Sequence, residues 1–401
     1  MNQTSLMHTH PIYVKARSTR MRFTSDDATE VLQTVLNVKE LGAKGDGKTD
    51  DTQVFLDAVE TIRFTGGTIY VPTGRYIISR PIVLREGSIS IIGEGMGATT
   101  LQLRDDLDRY VVGLIRTKGN QINKNIMIRD LTLDGNRENQ DPEMTEHIGF
   151  YSGVTPDASY EDEDLGCYRV EVKNFAGYGF DPHEVTTRLH LVDCTAHNNK
   201  LDGFTIDANI NVFIRGCISF NNDRHGFNIV TNTKHSIFNG NIIYNNKANG
   251  IMVQNGSSYN LFVNNSVFRN KGDGISVRGV PHNIIQNNYV YENDRYGIRV
   301  RGGDHTTISG NRLKNNGQAK DDQFDEIRVA QDAQQGSSHC MVANNHITIN
   351  GRRRARYGIH ETDERAEGAQ EKNMFGHNKV YGAVRRSYQF LGKETEILVN
   401  T

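Results

Sequence analysis

At 401 residues the chain can bury a sizeable core, and its 36% hydrophobic content comes in runs too short to span a bilayer. A net charge of −2 argues against a protein built to coat nucleic acid, but it leaves room for a local basic groove holding an anionic polymer. Thirty-nine glycines against seven prolines and no tryptophan predict many turns and few long helices.

Residues 1–35 are polar, lack repeat texture and carry no apolar signal-peptide core, so they read as an extension without an assigned role. Next, Gly42-Ala-Lys-Gly-Asp-Gly-Lys48-Thr49 matches the spelling of a P-loop. Asp46, Asp50 and Asp51 would put carboxylates where phosphates must sit, and no βαβ series follows. The segment therefore reads as a turn before residues 49–62, the one clear amphipathic helix, with Thr49, Asp50 or Asp51 as its N-cap. Gly93-Glu-Gly-Met-Gly97 is a turn between strands.

Alternating runs such as Thr68-Ile-Tyr-Val71 and Arg75-Tyr-Ile-Ile78 begin a strand-and-turn texture that becomes regular from Tyr178. Gly179, Gly203, Gly226, Gly250, Gly274 and Gly297 follow one another at steps of 24, 23, 24, 24 and 23 residues. Each heads an alternating run, such as Phe204-Thr-Ile-Asp207 or Ile298-Arg-Val-Arg301, and most follow an asparagine pair. Period two means strands with one buried face. A unit this short buries that face only by stacking on its neighbours, so the pattern predicts a β-solenoid of about three short strands per coil. Cys194 and Cys217, one repeat apart, read as stacked interior neighbours rather than a disulfide. The helix at 49–62 is placed to cap the open end of the stack.

Aligning the coils on their glycines brings chemistry together. The preceding column reads Tyr178, Asp202, His225, Asn249, Asp273, Tyr296. The second position after glycine, facing outward by parity, reads Asp181, Thr205, Asn228, Met252, Ser276, Arg299; the fourth reads His183, Asp207, Val230, Gln254, Arg278, Arg301. His183 and Asp207 are thus lateral neighbours one strand spacing apart. The glycine corner leaves the direction of the preceding column open. Any one exposed His, Tyr or Asp is ordinarily surface or turn; convergence of several on adjacent coils points to a site. Metal binding by these residues has no specific spacing behind it, so metal ligands stay unassigned.

These motifs also resemble a family. Tyr178-Gly-Phe-Asp-Pro-His-Glu184, Leu201-Asp-Gly-Phe-Thr-Ile-Asp207 and Asn222-Asp-Arg-His-Gly-Phe-Asn-Ile-Val-Thr231 are similar to the signature of the mannuronan C-5-epimerases, notably the catalytic modules of the secreted bacterial alginate enzymes. Arg129-Asp-Leu-Thr-Leu-Asp-Gly-Asn-Arg137 and the segment 37–51 share the likeness. The resemblance implies an all-β, single-stranded right-handed parallel β-helix of pectate-lyase-like form over residues 36–401. It also implies a groove for a polyuronate, with Tyr178, Asp181, His183 and His225 at the active site. Glu184, Asp202, Asp207 and Arg224 match further groove positions, and outward Arg299 and Arg301 can track the anionic chain. One departure stands out: relatives carry a lysine in the loop before the catalytic coil, where this chain has Glu143, Glu146 and His147.

The implied reaction removes the proton on carbon five of a uronate and returns one to the opposite ring face. His183 suits the base and Tyr178 the opposing donor, the reverse assignment remaining open. His225 and Arg224 would offset the charge on the substrate carboxylate, with Asp181 orienting an imidazole or sharing a proton. No cofactor is required; calcium is an expectation without an identifiable ligand set. The expected partner is an anionic polysaccharide (alginate or polymannuronate), met by an extracellular, monomeric protein without membrane span or nucleic-acid role. A lyase expelling the glycosidic oxygen shares scaffold and base. A hydrolytic or purely glycan-binding β-helix is the third reading, weakened because Asp202 and Asp207 make a poor carboxylate pair.

Overall fold

The structure, a computed structural model, describes residues 34–143, 146–153, 161–183, 185–331, 336–362 and 371–401. Nearly all of the expected extension, and Glu184 with it, lies outside the described residues.

Each coil contributes three short strands. Phe204–Asp207, Phe213–Arg215 and Ile218–Phe220 form one coil, and Phe227–Val230, Ile237–Asn239 and Ile242–Tyr244 form the next. Every strand pairs in parallel with its counterpart one coil away, in register Phe204↔Phe227, Thr205↔Asn228, Ile206↔Ile229, Asp207↔Val230. The result is a parallel β-helix, and the column of first strands forms a 12-stranded sheet. Parity falls as the alternation predicts. Phe204 and Ile206 are wholly buried in the interior, while Thr205 and Asp207 face outward. Inside, Phe180 and Phe204 stack with centroids 4.7 Å apart and planes 1° from parallel.

The repeating glycine is needed for close approach. At Gly203 a Cβ would lie 2.2 Å from Ser219 Oγ and 2.8 Å from Asn222 Nδ2, well inside contact. The second asparagine of each pair faces inward and hydrogen-bonds up the stack. Nδ2 of Asn199, Asn222, Asn246, Asn270 and Asn293 donates to Oδ1 of the next rung at 3.0, 2.9, 2.9, 3.0 and 2.9 Å. The first asparagine takes the left-handed turn, with φ of 58° at Asn198, 53° at Asn221 and 55° at Asn245. A second ladder runs from Asn241 through Asn265 and Asn288 to Asn311.

Helix α1 (Thr52–Ile62) closes the N-terminal end, burying Phe55, Ala58, Val59 and Ile62. It starts three residues later than the sequence suggests, because Asp46–Asp50 is recruited as a strand against Gly74–Ile78. Asp51 occupies the N-cap position without a capping hydrogen bond from its side chain; Asp50 Oδ1 accepts from Thr52 N at 3.0 Å instead. The P-loop spelling is decisively not a phosphate cradle. Its amides are already taken, those of Lys44 and Gly45 by the Asp51 carboxylate and those of Lys48 and Thr49 by Asp46. All four cysteines are buried and free, including Cys194 and Cys217. Strand pairing continues to Glu396–Ile397.

Candidate active site

The outward positions of the 12-stranded sheet form rows along the stack. One row runs Arg116, Tyr151, Asp181 through successive pairings, then Thr205, Asn228, Met252, Ser276, Arg299, Arg328 and His360. Tyr178, Asp202 and His225 stand at the strand entrances beside this row, and the structure turns them to the same outer side.

Asp202 organises the centre. Its fully buried carboxylate accepts from Arg224 Nε at 2.6 Å, from Arg224 Nη2, from the His225 backbone N–H at 2.8 Å, from Asn228 Nδ2 at 2.9 Å and from the Thr205 hydroxyl at 3.1 Å. With its acceptor sites filled from within, Asp202 does not face a ligand. Sequence reading counts it among the substrate-binding residues; the structure shows its carboxylate holding the Arg224 fork. Arg224 in turn sits 5.2 Å over the Tyr178 ring, with Nη2 3.5 Å from the phenolic oxygen. Burial raises the Tyr178 pKa above the ordinary tyrosine value although the Arg224 charge opposes it, so the phenol keeps its proton.

The two imidazoles are held in opposite senses. His225 Nδ1 accepts from the Asn249 backbone N–H at 3.1 Å, which leaves the neutral ring with its proton on Nε2 as a donor. Burial lowers the His225 pKa and keeps the ring neutral, despite the opposing pull of Asp202. His183 Nδ1 instead lies 3.3 Å from Asp207 Oδ2 and 3.7 Å from Asp181 Oδ1. Carboxylates at Nδ1 favour the tautomer that carries the proton there, which makes Nε2 the acceptor nitrogen of the ring. Asp207, expected to bind substrate, has its carboxylate beside His183 Nδ1. Asp181 is buried, which raises its pKa, against the opposing hydrogen bond from His183.

Two site residues escaped sequence reading. The Tyr151 ring stacks on His183 with centroids 5.6 Å apart, and the Arg116 guanidinium lies 4.8 Å from the Tyr151 ring centre. Gly149-Phe-Tyr151 repeats the glycine-corner pattern, but 30 residues before Gly179, so the insertion hid it. In the loop that lacks the relatives' lysine, Glu143 and Glu146 are exposed, whereas His147 is fully buried with Nδ1 accepting from Val111 N at 3.1 Å. On this side the outward row itself carries a cation, Arg116, from an earlier coil. Arg299 and Arg301 share the outer face but lie five coils beyond Tyr178, about 24 Å along the stack at 4.8 Å per coil. Among the described residues no group of three or more His, Cys, Asp or Glu side chains is arranged to hold a metal ion. None of the helices there is long and apolar enough to cross a membrane.

Comparison with known proteins agrees with this geometry. A family model described as rhamnogalacturonase A/epimerase, pectate lyase-like, matches residues 35–232, and one described as a right-handed β-helix region matches residues 238–400. Mannuronan C5-epimerase AlgE2 of Azotobacter vinelandii is 40% identical over 212 residues, covering 51% of this chain and 21% of that protein. Alginate lyase 7 of the same organism is 40% identical over 204 residues, 49% of this chain and 24% of that protein. The chain thus spans about a fifth to a quarter of these curated relatives. The A-modules of the A. vinelandii epimerases AlgE4 and AlgE6 superpose with TM-scores of 0.81 and 0.80 at 29% identity; the matches cover 90% and 91% of this chain and 99% of each module. Over about nine-tenths of its length the chain is thus similar in fold to the A-modules of mannuronan C-5-epimerases, and over about half of it similar in sequence to those enzymes and to an alginate lyase.

Proposed function

We propose that the protein inverts carbon five of β-D-mannuronate residues within alginate, giving α-L-guluronate. The observation that carries this reading is the opposite surroundings of the two Nδ1 atoms, a backbone N–H at His225 and two carboxylates at His183, on the coils that also carry Tyr178. His183 Nε2 takes the carbon-bound proton, its Nδ1 proton steadied by Asp207 and Asp181. The electron pair moves into the carboxylate, whose growing charge is met by the Arg224 guanidinium, through the Nη1 not engaged by Asp202, and by the Nε2–H of His225. The Tyr178 phenol, kept protonated by burial, returns a proton to the opposite face. Every step uses this chain's own side chains. Calcium, the family's expected ion, is given no step, and activity in the presence of a chelator tests its role. A polymeric substrate puts the work outside the cell.

Solvent-deuterium incorporation into intact polymannuronate, read by proton NMR, tests the reading. Wild-type protein is expected to give deuterated guluronate, while His183→Ala and Tyr178→Phe each lose at least about a hundredfold in rate. Growth of unsaturated chain ends without guluronate would overturn it in favour of β-elimination. That second reading is kept because the lyase-named relative matches as well as the epimerases do, and both chemistries begin with the same abstraction.

A further inference from the structure

The catalytic arrangement has a partial copy further along the same face. Tyr296 occupies the column of Tyr178, Asp325 that of Asp202, and Arg356 stands two places before Gly358 as Arg224 stands before Gly226. The contacts repeat as well. The Asp325 carboxylate is fully buried, like that of Asp202, and Arg356 grips it with Nε at 3.0 Å and Nη2 at 2.9 Å. Asn228 Nδ2 holds Asp202 Oδ2 at 2.9 Å; His360, in the same outward row, holds Asp325 Oδ2 through Nδ1 at 2.9 Å. The Tyr296 hydroxyl accepts from an arginine, here Arg328 Nη1 at 2.8 Å.

What the copy changes is informative. The positions of His183, the base proposed for the first cluster, and of Asp181, which steadies it, are filled by Arg301 and Arg299. Arg299 Nη1 is 3.9 Å from Asp273 Oδ2, its guanidinium lies 4.8 Å from the Tyr296 ring centre, and its buried Nε makes no hydrogen bond among the described residues. The residue matching Asp207 is Ala330. The base and its orienting acids are gone, while the fork locked on a buried aspartate remains and cations have been added. Between the clusters the row carries Asn228, Met252 and Ser276, an uncharged floor with no outward carboxylate.

We propose that Tyr296, Arg299, Arg301, Arg328, Arg356 and His360 form a second, non-catalytic binding site for carboxylates of the same polyuronate chain. It lies about 24 Å from the reaction centre, five coils at 4.8 Å each. This deepens the epimerase reading and rests on it for the identity of the polymer. A chain long enough to reach both clusters is held at two points, so the second contact is intramolecular and raises apparent affinity. Shorter oligomers engage one cluster only.

Titration calorimetry of the full chain against mannuronan oligomers of graded length, at fixed ionic strength, tests the proposal. Wild-type affinity is expected to step upward at the length that spans both clusters. In Arg299→Gln/Arg328→Gln that step shrinks by about tenfold or more. Because Arg328 is nearly buried, Arg301→Gln serves as the second variant, with circular dichroism confirming the fold of each. A step that survives both variants overturns the proposal, and so does an equal loss of affinity for trimers and long chains. Polygalacturonate and heparin separate the two levels of inference. A length step with one of them but none with mannuronan keeps the second site and sinks the substrate assignment; no step with any polyanion sinks the second site.

Discussion

In the proposed mechanism Asp202 acts through Arg224 and not by touching the substrate. Its carboxylate is closed in by five donors, and Arg224 reaches Tyr178 only because both of its nitrogens on that side are clamped. Asp202→Asn keeps the shape but replaces one acceptor oxygen with a donor facing the guanidinium. We expect kcat to fall by about a hundredfold, with the fork released rather than the base lost. Steady-state kinetics with Arg224→Lys alongside is the check: Lys restores charge without the fork, so near-wild-type kcat in either variant would rule out a positioning role. Tyr178 carries a pH prediction. Burial raises its pKa, so the protonated donor persists above the ordinary tyrosine value of 10. The alkaline limb of deuterium exchange is therefore expected above about pH 10. A limb between pH 7 and 9 that vanishes in Tyr178→Phe would contradict the donor assignment. The column alignment placed His183 beside Asp207 and collected Tyr178 with His225. It could not show which acids face inward to the protein's own cations, because that depends on side-chain rotamers set by Arg224 and Asn228.

At the scale of elements, legibility followed the regularity of the repeat. Where coils are 23 or 24 residues long, strands, turns and outward rows could be read directly. Before Gly179 and after Gly297 the coils lengthen, to 30 residues from Gly149 and to 29 and 32 residues on either side of position 326. There the Arg116–Tyr151 pair went unread, and of the second cluster only Tyr296, Arg299 and Arg301 were read, without Asp325, Arg328, Arg356 and His360. Loop length varies freely because the loops lie outside the stack, while the interior register does not. The clearest irregularity is Glu326, which stands where the coils of Gly149 to Gly297 before it and of Gly358 after it have glycine. Its carboxylate points inward and ends the asparagine ladder, accepting Asn316 N at 2.9 Å and Nδ2 at 2.6 Å. Complete burial pushes its pKa from the usual 4.5 up to about 7. Below pH 4.5 the group is protonated folded or unfolded, and stability is fully present. As pH rises to 7 only the folded state holds the proton, and roughly 3 kcal/mol is lost. Glu326→Gln presents a neutral rung like the asparagines before it. Urea unfolding should show the variant matching wild type near pH 4.5 and exceeding it by up to about 3 kcal/mol at pH 8. Parallel pH profiles would refute the assignment.

For the molecule as a whole, the parallel stack makes stability a chain of neighbour contacts rather than one shared core. Asparagine ladders and stacked rings tie each coil to the next, so the weak points are the ends. The N-terminal end depends on α1, whose Phe55 is fully buried with its ring edge-on to Tyr76 at 5.6 Å and 82°. Phe55→Ala leaves a cavity there and is expected to cost about 3–5 kcal/mol locally. In a solenoid that loss frays the adjoining coils first and leaves the middle intact. Hydrogen exchange should therefore speed up in Gly67–Tyr70, Gly74–Ile78 and Ile82–Leu84, while Phe204–Asp207 and Phe227–Val230 keep wild-type protection. Activity should hold on mild heating until fraying reaches Phe150–Ser152, whose Tyr151 stacks on His183. Exchange that accelerates evenly from the capping helix to the last coil would show a single cooperative unit and defeat the end-fraying argument.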